Sequence, residues 1–376
     1  FEGALIRSLF VGGAQSPYLV LRVRRQELVS DTLLRISQQR RDLKKPLKVQ
    51  FVGEEGVDEG GVQKEFFQLI ISQIFDVSFG MFTLNEEQRT YWFNRSSLEN
   101  TREFELIGIL LALAIYNGVI LDVHFPHVVY KKLVQRCEHS KFTTGELVLA
   151  DVVRDFPRVG RSLTQLLEYE PADEVESTFC LVMQVDYEEF GVRMTHDLVE
   201  GGGDIAVTAA NRAEYVRLYT RYLLHDSIDP QFSAFSAGFH NVCGGDCLGL
   251  FRWEELELLV CGSPELDFHA LETAAQYDDG FTPEHHSIRL LWEVVHELPM
   301  ELKRKFLFFT TGSDRVPIKG LGNMNFVISR NGVDEERLPS AHTCFNHLLL
   351  PEYRSKEKLR AQILRAISDT EGFHIV

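Results

Sequence analysis

Cys344 stands between two histidines, His342 just before it and His347 just after, in the run Leu338-Pro339-Ser340-Ala341-His342-Thr343-Cys344-Phe345-Asn346. The thiolate is the reactive form of cysteine, and neighbouring imidazoles or backbone donors raise its share near neutral pH. If this run is a strand or an open loop, alternate side chains point one way, and His342, Cys344 and Asn346 share a face. Such a group is a plausible setting for a nucleophile, and covalent catalysis divides one hard step into two easier ones. The competing reading is a small apolar cysteine packed into a core, a common fate of a free thiol.

Other chemistry-bearing residues are weaker candidates. Cys243 and Cys247 flank Gly-Gly-Asp with no second pair nearby. A structural zinc site needs about four ligands, so this stretch reads as a loop. His285 and His286 are adjacent and would point to different sides of a helix. His124 precedes Phe125-Pro126 and has the type of a general base, but the sequence offers it no partner. The Gly-rich turn from Gly53 to Gly61 precedes a patterned helix, where a phosphate could sit. It lacks the Lys-Ser/Thr of a P-loop, and its acids would repel an anion. No metal and no cofactor is expected.

The whole chain bounds these readings. It has 376 residues, 44% hydrophobic and 25% charged, enough apolar material for two cores. A net charge of −16 argues against a nucleic-acid partner, since phosphate contacts need clustered Lys and Arg. The one basic run, Arg40 to Lys45, reads as a solvated loop. Six scattered cysteines do not make a disulfide scaffold and point to a reducing compartment, the cytoplasm with the nucleus as a second place. The longest apolar run, Leu106 to Tyr116, falls short of the roughly 20 residues that span a bilayer, so no membrane is expected. The chain begins at Phe1 with no visible signal peptide, as a fragment of a longer protein would.

The elements that position Cys344 follow from periodicity. A helix is expected near Glu27–Gln38, a strand at Leu47–Val52, a helix opening at Val62, and a buried helix from Phe104 to Tyr116 closed by Asn117-Gly118. Residues 155–225 read as a small subdomain. It has a helix from Arg158 to Glu170, strands at Phe179–Val185 and near Val192–Leu198, and a helix at Asn211–Leu224. The Leu and Tyr stripes of its helices read by default as core. Phe251–Cys261 is a short helix, and Gly262-Ser263-Pro264 breaks the pattern as a boundary would. Beyond it, Thr282-Pro283 gives an N-cap and an N1 proline to a helix through Val295. A helix at Pro299–Phe309, a loop from Thr310 to Pro317, a strand at Phe326–Ile328 and a last helix capped by Ser355 complete the chain.

The run Leu338 to Asn346 resembles the active-site signature of HECT-type ubiquitin ligases. The segment Gly56-Val57-Asp58-Glu59-Gly60-Gly61-Val62-Gln63-Lys64-Glu65-Phe66-Phe67 is similar to one in that family's N-terminal lobe. The likeness covers the chain from about residue 18 to 376. The stretch Cys344 to Tyr353, with Asp58 to Gly61, looks most like the Angelman-syndrome ligase subfamily.

The resemblance implies an α+β, bilobal HECT fold. A large, mostly helical N-terminal lobe (residues 1–261) would carry a conjugating-enzyme-binding subdomain at about 155–225. A hinge at Gly262, Ser263 and Pro264 would lead to a smaller α/β catalytic lobe (265–376). Cys344 would carry ubiquitin as a thioester; from the residues themselves, His342 is expected to tune the thiolate and the Thr343 and Phe345 backbone N–H groups to steady the oxyanion. Ser162, Leu163, Leu166, Tyr169 and Tyr215 match groove residues for the conjugating enzyme, while Val159 and Ser177 depart from the usual Leu and Met. Lys319 replaces a commoner glycine. Phe373 holds the place of a phenylalanine needed for ubiquitin to leave. Ubiquitin, a conjugating enzyme and protein substrates recruited by upstream regions are the implied partners. The alternatives are a catalytically silent scaffold of the same fold and a thiol protease or deubiquitinase, which usually places its cysteine early.

Overall fold

The computed structural model describes residues 16–54, 61–136, 146–245, 247–263, 265–316 and 318–369. Glu55 to Gly60 of the Gly-rich turn, Pro264 of the expected hinge, and Phe373 lie outside the described residues. The chain divides into two compact units. One takes Gln73–Ala112 and Val123–Glu257; the other takes the described residues up to Ser72, Leu113–Asp122, and those from Leu258 onward.

The first of these units is built around aromatic rings. Phe93 lies 5.2 Å from Phe82, 5.3 Å from Phe235 and 5.7 Å from Phe232, centroid to centroid. The helix Thr101–Tyr116 is buried without interruption from Leu106 to Ala114, as its all-round apolar sequence requires. It meets the helix Asp229–Cys243 at glycines. A Cβ on Gly108 would lie 1.9 Å from the Phe235 carbonyl oxygen, and one on Gly238 2.0 Å from that of Glu105.

The small subdomain has the two expected helices, Pro157–Glu168 and Arg212–Leu224. Its hairpin differs from expectation. Val175–Phe179 is a short helix stopped by Cys180 at φ 48°, and the first strand starts only at Gln184. Gln184–Glu189 then pairs antiparallel with Val192–Asp197, which is exposed along its whole length.

The second unit opens with Leu19–Val23, a strand that the sequence did not reveal. It pairs in parallel with Leu47–Phe51 across the helix Leu28–Gln38. From Phe268 to Ile367 one hydrophobic cluster gathers Trp292, Phe306, Phe326, Tyr353 and Ile363. Its sheet runs Gln276–Asp278, Val327–Arg330, His347–Leu350, Ser340–His342; the last pair is antiparallel and the others parallel. Two boundaries move. Thr282 is not the helix cap: its carbonyl closes a turn onto the His285 N–H, and the helix His286–Glu297 is capped by His285, which accepts from the Ser287 N–H. The next helix, Met300–Thr311, includes Thr310 and Thr311 and ends at Gly312 with φ +74°. Ser355 does cap the last helix, Lys356–Asp369, accepting from the Lys358 N–H at 3.2 Å. Among the described residues no helix is long and apolar enough to cross a membrane.

Candidate thioester site

The cysteine run forms a strand, a tight turn and a second strand. Ser340–His342 pairs antiparallel with His347–Leu350, so that Ala341 faces Leu348 and His342 faces His347. Between them Thr343–Phe345 makes one 3-10 turn, and Asn346 leaves it at φ 49°. Asparagine tolerates this left-handed conformation better than most residues. The extended backbone on which a shared face of His342, Cys344 and Asn346 was expected is therefore interrupted by the turn.

The turn is held at several points. The Asn346 N–H donates to the Thr343 carbonyl at 3.2 Å, and the Val327 N–H donates to the Asn346 carbonyl at 3.1 Å. The Asn346 side-chain amide donates to the Asn325 carbonyl at 3.2 Å. His342 is exposed, its ring 5.9 Å from that of His347. His347 is anchored instead, with Nε2 2.7 Å from the hydroxyl of buried Ser329 on the neighbouring strand. Phe345, 57% exposed, presents a large apolar ring to solvent beside Cys344.

Lys64 is the residue whose role sequence reasoning missed. It lies on the helix Gly61–Ile74, and its ammonium donates to the Thr311 carbonyl at 2.7 Å, the Asn346 Oδ1 at 2.9 Å and the Thr343 carbonyl at 3.2 Å. Gln68, one turn on, donates to the Gly312 carbonyl at 3.3 Å. Three oxygens on one half-buried cation tie both sides of the cysteine turn to the end of the Met300–Thr311 helix. Lys64 belongs to a segment the sequence singled out, but its partners are hundreds of residues away, beyond any local pattern.

The expected hinge residues that are described have defined geometry. Gly262 has φ +71°, and a Cβ there would lie 2.5 Å from the Val316 carbonyl oxygen. Ser263 exchanges two backbone hydrogen bonds with Val316, at 2.7 and 3.1 Å. Val316 is part of the C-terminal hydrophobic cluster, so Ser263 is stitched to that cluster.

In the small subdomain, Leu163, Leu166 and Tyr215 are buried. Burial pushes the Tyr215 phenol up, and the neutral hydroxyl donates to the Gln184 carbonyl at 3.3 Å. Ser162 is exposed, with its hydroxyl turned back to the Arg158 carbonyl. Tyr169 is half-buried, bonded to the Thr178 hydroxyl at 3.1 Å and edge-on to Phe179 at 5.2 Å. The default core reading thus describes three of the five residues, and Ser162 and Tyr169 form the outer part.

A family model described as HECT-domain (ubiquitin-transferase) matches residues 68–376. This chain belongs to the HECT family. Among curated proteins it is 47% identical to the probable E3 ubiquitin-protein ligase HECTD2 of Mus musculus over 361 residues, 95% of this chain and 46% of that protein. It is 44% identical to the probable E3 ubiquitin-protein ligase HERC4 of Homo sapiens over 374 residues, 99% of this chain and 34% of that protein. The probable E3 ubiquitin-protein ligase mug30 of Schizosaccharomyces pombe is 36% identical over 387 residues, 96% of this chain and 47% of that protein. The chain spans under half the length of these curated relatives. Likeness to HECTD2 and HERC4 gives no support to the expected Angelman-syndrome subfamily, and the HECT family is the level at which the chain is assigned.

Proposed function

We propose that this chain is the catalytic part of a HECT-type ubiquitin-protein ligase, nearer in kind to the HECTD2 and HERC4 proteins than to the Angelman-syndrome ligase. The Cys344 thiolate attacks the thioester joining ubiquitin to a conjugating enzyme, and the conjugating enzyme's thiolate leaves. A substrate lysine amine then attacks the new thioester, the Cys344 thiolate leaves, and the amine's proton passes to solvent or a base. The observation that carries this reading is the signature run Leu338–Asn346, held as strand, tight turn and strand, in a chain of the HECT family.

Exchange of one thioester for another is nearly isoenergetic, so alignment counts for more than a strong base. Orientation supplies up to roughly 7–11 kcal/mol in favourable cases. Lys64 is a positioning residue in this reading, while the Thr343 and Phe345 N–H groups and His342 support the thiolate and oxyanion. The conjugating enzyme docks on the small subdomain, touching Ser162 and Tyr169 over a floor of Leu163, Leu166 and Tyr215. Residues 1–261 act as one lobe and 265–376 as the catalytic lobe, with Gly262 as the pivot. This division is supported by a hydrophobic cluster that lies wholly between Phe268 and Ile367. Phe373 assists the second transfer. Substrates are recruited by segments outside the stretch shared with the relatives, in the cytoplasm and nucleus.

The test is a pulse reaction with activating enzyme, conjugating enzyme, ATP and labelled ubiquitin, resolved with and without reductant. A reductant-sensitive adduct that Cys344→Ala abolishes is expected. Its persistence in Cys344→Ala would remove the assignment. A folded protein that forms no adduct with several conjugating enzymes would be a scaffold, and release of a fluorogenic ubiquitin conjugate would make it a hydrolase.

A further inference from the structure

We propose that His269, Glu272 and His296 form a binding site for a divalent transition-metal ion, with Zn²⁺ as the best fit. His269 and Glu272 lie one turn apart on the helix Phe268–Ala274, and such residues are neighbours on one helix face. His296 lies in the last turn of the helix His286–Glu297, where the C-terminal end of the helix dipole favours a cation. The His269 and His296 rings stack face to face, 4.0 Å apart and 15° from parallel. His296 Nε2 is 2.7 Å from Glu272 Oε2. One donor atom from each residue falls within 4.8 Å of the other two.

The spacing suits the ion. Zn–N bonds of about 2.0–2.1 Å put tetrahedral ligand atoms about 3.4 Å apart. Atoms within 4.8 Å of one another must close by at most about 1.4 Å, the 2.7 Å His296–Glu272 pair must open by about 0.7 Å, and the stacked rings must turn out of parallel to aim both lone pairs at one ion, all of which side-chain rotation can supply. The backbone is already fixed, since both helices bury side chains in one cluster: Phe268 and Leu271 from one, Ile288, Leu291, Trp292 and Val295 from the other. The Asp267 carboxylate caps the first helix through the His269 and Ala270 N–H groups. Two imidazoles and a carboxylate suit zinc, nickel or copper(II). Calcium and magnesium prefer all-oxygen sites, and there is no thiolate in the set. His269 is exposed, so water can enter as a fourth ligand.

The site joins the first helix after Gly262 and Ser263 to the body of the C-terminal cluster. That helix leads into the strand Gln276–Asp278, at the opposite edge of the sheet from Ser340–His342. The ion is therefore a structural clip, apart from the thioester chemistry.

The test uses this chain, stripped with chelator, kept under a phosphine reductant and titrated with Zn²⁺ by calorimetry and with Co²⁺ by absorbance. Cobalt separates imidazole and carboxylate ligation from thiolate ligation, which adds a charge-transfer band; the separation matters because the chain has six cysteines. The expected result is one equivalent bound at about micromolar affinity or tighter, no thiolate band, and a rise in Tm with metal. His269→Gln and His296→Gln should each weaken binding at least about tenfold and cancel the rise in Tm. Thioester formation should survive chelation. No binding at about 100 μM Zn²⁺, a thiolate band, or equal binding in His269→Gln would overturn the proposal. His269 is exposed, so His269→Gln decides the matter even if His296→Gln fails to fold.

Discussion

Replacing Lys64 by methionine removes the ammonium while keeping most of the aliphatic stem. The Thr311 and Thr343 carbonyls and the Asn346 Oδ1 then lose a donor held at 2.7, 3.2 and 2.9 Å. Hydrogen bonds to a charged group contribute about 1.5–3 kcal/mol each. Here one half-exposed cation serves three acceptors, and water competes, so the bonds do not add. A total of about 2–3 kcal/mol is a reasonable sum for the clamp, equivalent to roughly 30–150-fold in the population of the undocked turn. Native-state hydrogen exchange reads this directly at the Asn346 and Val327 amides, whose acceptors are the Thr343 and Asn346 carbonyls. Both should exchange faster in Lys64→Met, by up to the same factor, while amides in the ring-rich unit around Phe93 stay unchanged. Single-turnover ubiquitin transfer to Cys344 should slow by about tenfold or more, because orientation lost from the turn must be regained in the transition state. Lys64→Arg keeps the charge but spreads its donors in a planar fork, so it should rescue only part of the effect. Exchange at both amides within about twofold of the wild type, together with an unaltered transfer rate, would refute the clamp.

Other perturbations test the packing around the site. Gly108→Ala drives a Cβ to 1.9 Å from the Phe235 carbonyl oxygen, and overpacking of this kind costs about 1–3 kcal/mol; thermal unfolding should fall by several degrees, and an unchanged Tm would show that the two helices separate freely. Gly312→Ala forces a side chain into φ +74° with a Cβ 2.4 Å from the Gln68 amide nitrogen, and the left-handed conformation alone costs about 1–2 kcal/mol; both stability and exchange protection at Asn346 should drop. Lys132 is buried over the Phe232 ring, donating to the Leu224 carbonyl at 2.8 Å, and loss of hydration pushes its pKa down to about 7, with Arg136 adding and Asp229 and Asp226 opposing. Above pH 7 the unfolded chain holds this proton and the folded chain does not, so denaturant-measured stability should rise by about 1–2 kcal/mol between pH 7 and 8.5. That rise should be absent in Lys132→Met, and a wild-type stability that falls over this window would contradict the sign.

The helices that the sequence did reveal were legible because their apolar stripes repeat locally, from the buried Thr101–Tyr116 to the Tyr-striped Arg212–Leu224, whereas His127–Gln135, Leu149–Asp155, Asp229–Cys243 and Phe268–Ala274 were not read. The strands were less so. Leu19–Val23 buries Leu19, Leu21 and Val23 and exposes Arg22, but five residues with an apolar Val20 are too few for that alternation to stand out, whereas the strand expected near Val192–Leu198 is present as Val192–Asp197 although it buries nothing. Phe179–Val185 was misread because a helix end and a strand start share an apolar stretch, and the left-handed Cys180 opens the four residues that separate them. In the candidate site, the order of residues around Cys344 was informative, and the shared face was expected only for a strand or an open loop. That expectation assumed an extended chain where the backbone makes a tight turn. The Lys64 clamp and the His269–Glu272–His296 group are invisible to periodicity, because tertiary packing brings Lys64 to its partners and His296 to the His269–Glu272 pair.

The turn also bears on the alignment that the proposed transfer needs. A base paired to the thiol would matter most where the leaving group is poor. Here both the entering and leaving groups are thiolates, with similar affinity for the acyl carbon. What the transfer demands is a sulfur whose backbone does not drift while a second protein approaches. The residues flanking Cys344 meet that demand from several directions: an antiparallel pairing of His342 with His347, a buried serine anchoring His347, and a lysine gathering the Thr343 and Asn346 oxygens. The exposed groups left over, His342 and the Phe345 ring, are those an incoming ubiquitin could meet. On this argument Phe345→Ala should weaken transfer through the encounter with ubiquitin, leaving amide exchange in the turn intact. Lys64→Met should do the reverse, loosening the turn first and slowing transfer as a consequence. Measuring both quantities on both variants separates contact from orientation, and a Phe345→Ala variant that loosens the turn as much as Lys64→Met would show that the ring is part of the scaffold instead.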